Sequence, residues 1–179
     1  MTAFRAFHLV VTAALFIGSA ESRASGNGTE PEKDAGSRTV QVTGSGVDFL
    51  NTAIVHSKEL TPTGMIQKST ETVELEGDLK GRVLYHVTSV FDFVGGTLVN
   101  TGDQVYSGTI SGSAPVMIHD DQFRFEANLV TGAESGQVYL FNHIAGPKVK
   151  CTLKVVGTGV NSEGNPTFDY SGECRFRGR

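Results

Sequence analysis

From Thr39 onward apolar and polar residues alternate with a period of two, in runs broken by glycine, asparagine and aspartate. No stretch shows the 3.6-residue spacing of an amphipathic helix. Thr39–Phe49 sets Val40 and Val42 between polar partners, and Ala53–His56 continues it beyond Asn51. Met65–Glu76 is more polar and ends in Val73 and Leu75, before a turn at Gly77-Asp78. Arg82–Phe93 is the most apolar run. It places Val83, Tyr85, Val87, Phe91 and Phe93 on one side and Arg82, His86, Thr88 and Asp92 on the other. Gly95-Gly96 reads as a hairpin turn. Thr97–Val99, Asp103–Ser111, Val116–Ile118 and Gln122–Leu129 follow, the last two separated by Asp120-Asp121, which reads as a tight turn. Gln137–His143 closes at Gly146-Pro147.

The clearest pattern lies between Lys148 and Arg177. Folding this segment at Asn161-Ser162-Glu163-Gly164 pairs Val149 with Phe176, Cys151 with Cys174, Leu153 with Gly172 and Val155 with Tyr170. One face then carries Val149, Cys151, Leu153 and Val155 against Phe168, Tyr170, Cys174 and Phe176. The other carries Lys150, Thr152 and Lys154 against Asp169, Ser171, Glu173 and Arg175. A slip of one residue would turn every apolar side chain into water, so the register is well specified. Cysteines opposite one another at a non-hydrogen-bonded site approach closely enough to be bridged. A Cys151–Cys174 disulfide is therefore expected, the alternative being two buried free thiols.

These runs amount to about eight or nine strands joined by short connections, which predicts an all-β fold, a single antiparallel eight-stranded or nine-stranded barrel. Closure would remove the exposed edges of a long sheet; a two-sheet sandwich is the alternative. The 22 glycines among 179 residues suit turns and bulges better than helices, and 39% hydrophobic content is enough for one domain with a core. A formal charge of −4 sets up no basic field for nucleic acid, and no nucleic-acid partner is expected.

Residues 1–24 follow the pattern of a signal peptide: Arg5, then an apolar core from Leu9 to Ile17, then small residues that allow cleavage after Ala20 or Ala24. The core is too short for a membrane-spanning helix, so no membrane anchor is expected. Residues 25–38 hold no apolar side chain larger than alanine and read as a disordered leader, which leaves 39–179 as the barrel domain. Export and a disulfide together suggest a secreted or periplasmic protein.

The stretch from Val73 to Arg177 resembles bacterial relatives of the allene oxide cyclase and dirigent barrel superfamily. The likeness rests on Leu75-Glu76-Gly77-Asp78-Leu79-Lys80-Gly81 before a long aromatic strand, on Gly108-Thr109-Ile110-Ser111-Gly112, and on Gly157-Thr158-Gly159 before a terminal strand ending near Gly178. It implies an eight-stranded barrel with an apolar interior, used in some members to fold a flexible substrate into a ring. These are turn patterns, so no catalytic residue is carried over to this chain.

Other chemistry is sparse. His119, Asp120 and Asp121, with His143 at the far end of a neighbouring strand, could be imagined as a metal or acid–base site, but a turn explains the aspartates and no metal is assigned. His86 and Asp92 read as solvated, and Arg124 with Glu126 as a surface pair. Neither Gly-x-Ser-x-Gly nor a phosphate-binding loop occurs, no residue earns a catalytic role, and no cofactor is expected. The aromatic strand faces are the better lead, as a pocket or as plain core. Tyr85, Tyr170, Phe91 and Phe93 are the candidate ligand-binding residues, the two phenols supplying polar contacts unless they bond to backbone. The leading expectation is a barrel that binds a small apolar or amphipathic molecule. A cyclase or isomerase of the allene oxide cyclase-like class and a protein-interaction barrel with a filled interior are the alternatives.

Overall fold

The structure is a computed structural model that describes residues 36–178. The expected signal segment, both cleavage sites and most of the expected leader lie outside the described residues. Ten strands follow in order: β1 (Arg38–Asp48), β2 (Ile54–Thr61), β3 (Gly64–Gly77), β4 (Leu79–Asp92), β5 (Thr97–Ile110), β6 (Val116–Asn128), β7 (Glu134–Leu140), β8 (Asn142–Ala145), β9 (Val149–Val160) and β10 (Pro166–Phe176). The order β1-β10-β9-β7-β6-β5-β4-β3 returns to β1 through Gly44–Asp48 paired with Val73–Gly77, so eight strands close an antiparallel barrel. Strand β2 adds to β3 and the short β8 adds to β6. Closure rules out the sandwich.

The C-terminal hairpin has the register its alternation predicts, with Cys174 opposite Cys151, Gly172 opposite Leu153 and Tyr170 opposite Val155. Cys151 and Cys174 form a disulfide across Cα atoms 4.1 Å apart. One detail differs. A bulge between Thr167 and Phe168 shifts the register, so the connection runs from Asn161 through Asn165, one residue longer than the expected turn. The outer face of this hairpin carries Lys150, Lys154, Glu173 and Arg175, all exposed, so these strands face water.

The largest correction concerns Asp120-Asp121, which is no turn. Strand β6 runs straight through it, and β5 likewise joins the two runs expected on either side of Thr101. The pairing shifts between Gly102 and Gln104, where Asp121 and Gln122 together oppose Asp103. This bulge switches the inward parity of β6 from Val116, Ile118 and Asp120 to Phe123 and Phe125. A period-two reading sees the change of phase as a break. The Gln137–His143 run is also divided, into β7 and β8.

The interior has two unlike halves. Around the disulfide, Val42, Leu79, Tyr106, Ile110, Val116, Ile118, Leu140, Val149, Cys151 and Cys174 are all 3% exposed or less. Close approach there depends on glycine: a Cβ on Gly44 would stand 2.1 Å from the Glu76 carbonyl and 2.3 Å from the Tyr170 hydroxyl. Toward the opposite end the walls part.

Candidate functional site

The open half encloses a cavity of about 80 Å³. About 10–15 Å³ admits one water, so this space takes several waters or the body of a small organic molecule. Val73 and Leu75 from β3, Val83 from β4, Phe123 and Phe125 from β6, Val138 and Leu140 from β7 and Leu153 and Val155 from β9 give it apolar walls. Strand alternation places each of them inward. Opposite Phe125 stands Gly136, where a Cβ would lie 2.3 Å from the phenylalanine ring, so the glycine makes room for that wall.

Polar groups interrupt the walls in one sector. Tyr85 on β4, Asp48 at the end of β1, Asn100 and Gln104 on β5 and Glu134 at the start of β7 line the same cavity. The Tyr85 hydroxyl is 2.6 Å from Asp48 Oδ2 and 2.6 Å from Glu71 Oε2 on β3, while the Ser69 hydroxyl donates to Glu71 Oε1. A phenol has one proton and can donate to only one carboxyl. Both short contacts are hydrogen bonds only if a carboxyl also carries a proton. Burial pushes Asp48 up to about 7, opposed by the Tyr85 bond and assisted by the neighbouring Glu71 and Glu134 charges, so Asp48 takes up a proton as the pH falls through neutrality. The Tyr85 hydroxyl donates to one of the two carboxyls at a time, and a proton on Asp48 makes the second contact a hydrogen bond as well. Burial also raises Glu134, and burial with the two neighbouring carboxylates raises Tyr85 so far that its phenol stays neutral.

Two buried oxygens in this sector, Asp48 Oδ1 and Asn100 Oδ1, have no hydrogen-bond partner within the protein. Both residues line the cavity. Buried acceptors are nearly always satisfied, so the donors for these two come from water or another molecule held in the void beside them.

The four candidate residues divide. Tyr85 lines the cavity with its ring edge-on to Phe123, at 5.9 Å between centroids. Tyr170 contributes its ring, but its hydroxyl accepts from the Leu79 amide at 2.7 Å and lies 3.0 Å from the Glu76 carbonyl, holding β10 to the β3–β4 connection. Phe91 and Phe93 are not among the cavity-lining residues; Phe91 is at the far end of β4 and Phe93 in the turn beyond it, 60% exposed. Glu71 and Asp48 escaped the sequence reading. Glu71 had a signal, since it shares the inward phase of Val73 and Leu75 on β3.

The remaining candidates lie elsewhere. Asp120 is fully buried and accepts from Gln104 Nε2, Gln122 N and Tyr139 N, so it staples β5, β6 and β7. His86 Nδ1 and His119 Nε2 both face Asp103 Oδ1, at 3.3 Å and 3.9 Å, and His143 Nε2 bonds the Gly146 carbonyl. No group of three metal-ligating side chains occurs among the described residues. Asp92 Oδ1 accepts from Val94 N and Gly95 N in the hairpin turn, and Arg124 pairs with Glu126 at 2.7 Å on the surface.

Comparison of the chain with family models, curated proteins and solved structures finds no match. Among the described residues no helix is long and apolar enough to cross a membrane.

Proposed function

We propose that this chain is an exported barrel that binds a small amphipathic molecule in the open half of its interior. The observation that carries the reading is the pair of unpartnered oxygens, Asp48 Oδ1 and Asn100 Oδ1, in the polar sector of a cavity whose remaining walls are apolar. A barrel evolved only for stability would gain by filling that space and by satisfying or removing the buried acceptors. The packed half supplies rigidity, and the disulfide within it fits an oxidising compartment. The likeness to allene oxide cyclase barrels points the same way, toward a shaped interior as the working part.

A second reading, a cyclase or isomerase, is favoured by Asp48. A carboxyl that titrates near 7 at the wall of an apolar cavity suits general acid–base work. In that case the cavity holds the reactive conformer and Asp48 moves one proton.

The test is calorimetric titration of the protein with n-hexanol, in parallel with Val155→Phe, which fills the cavity from β9. Saturable binding that the substitution abolishes, with the fold intact, supports the proposal. Binding unaffected by Val155→Phe, or none, refutes it.

A further inference from the structure

The cavity is unbalanced in charge. Asp48 and Glu134 line it, Glu71 lies directly behind Tyr85, and none of the lining residues is a lysine, arginine or histidine. In a poorly screened interior, carboxyl groups without a counter-cation ionise only against the cost of burial, so the site penalises an anionic ligand and favours a positive one that pairs with them. The unpartnered acceptors of the cavity wall are Asp48 Oδ1 and Asn100 Oδ1, both buried. Neither oxygen has anything to offer a ligand carboxylate.

We infer that the ligand is an amphipathic amine, its ammonium group donating to Asp48 Oδ1 and Asn100 Oδ1 and its apolar body lying against Val73, Phe123 and Val155. This rests on the proposed reading of the cavity as a ligand site and adds the chemical class of the ligand. Binding is coupled to a proton. An entering ammonium makes the Asp48 carboxylate the favoured form, so the carboxyl proton leaves to solvent as the ion pair forms: one O–H bond breaks, and one N–H···O contact replaces it.

The groups that face Asp48 are Tyr85 from β4, Glu71 from β3 and Glu134 from β7. Tyr85 stays neutral. Protonation of the two glutamates would, like that of Asp48, weaken the hold on a cation, so every titrating neighbour acts in one direction. Below about 7, where Asp48 keeps its proton, amine affinity falls by up to about tenfold for each pH unit.

The experiment compares n-hexylamine, n-hexanol and hexanoate, matched in apolar body, by calorimetric titration of the whole barrel at pH 7.5 and pH 5.5. The expected result at pH 7.5 is an amine at least about tenfold tighter than the alcohol, with hexanoate not binding. The amine advantage shrinks at pH 5.5, and Asp48→Asn reduces the amine-to-alcohol affinity ratio to near one. Hexanoate binding as tightly as hexylamine, or an amine advantage that survives Asp48→Asn, overturns the inference and leaves the cavity reading standing. Failure of all three probes overturns both.

Discussion

The Tyr85 hydroxyl stands 2.6 Å from Asp48 Oδ2 and 2.6 Å from Glu71 Oε2, so two carboxyls share one phenol in the buried polar sector. The consequence is a defined pH dependence of stability. Asp48 is raised from 3.8 to about 7 in the fold, so the folded state binds this proton more tightly than the unfolded chain does. Its contribution is fully present below 3.8, declines as pH rises, and is lost above about 7. Asp48→Asn removes the titration. The variant should be more stable than the wild type at pH 8, by roughly 1–3 kcal/mol, and no more stable at pH 4, as read from urea unfolding. A variant less stable at pH 8 than at pH 4, relative to wild type, would contradict the protonated Asp48.

Tyr170 makes the opposite case, a buried phenol whose hydrogen bonds are internal. Tyr170→Phe strands the Leu79 amide, which loses its 2.7 Å acceptor. The expected loss is about 1–3 kcal/mol of unfolding free energy, with n-hexanol affinity unchanged. Intact stability with weakened binding would instead make the hydroxyl a ligand contact.

Where one strand pair decides the outcome, the residues were enough. Cys151 and Cys174 fall opposite each other because alternation on both sides of one short loop leaves a single register that keeps Tyr170 and Val155 dry. The bulge in β6 was not legible, since Asp121 and Gln122 look like any polar break until the partner strand is present. The polar sector of the cavity was hidden for a related reason. Glu71 and Tyr85 face each other across the β3–β4 pair, but Asp48 reaches them only through barrel closure, with β1 pairing to β3. Phe91 and Phe93 extend the phase of Tyr85, but period two says nothing about how far along β4 the interior reaches.

The disulfide closes a loop with a sequence separation of 23 in the packed half. Replacing both cysteines with alanine should lower stability by about 3.5 kcal/mol on loop entropy alone, because the unfolded chain regains its freedom. The check is equilibrium unfolding of Cys151→Ala/Cys174→Ala beside wild type. Denatured wild type treated with alkylating agent should gain no mass without reductant, whereas uptake of two alkyl groups would mean free thiols.

The central claim is that the two halves of one barrel interior do different work, the half around Cys151–Cys174 holding the fold and the half around Asp48 holding a ligand. Methyl and amide chemical shifts recorded while n-hexanol is added test this most directly. The account predicts saturable shifts at Val73, Val83, Val138 and Val155 and none at Val42, Ile118 or Val149. Shifts spread over both halves, confined to the outer surface, or absent at saturating alcohol would contradict it.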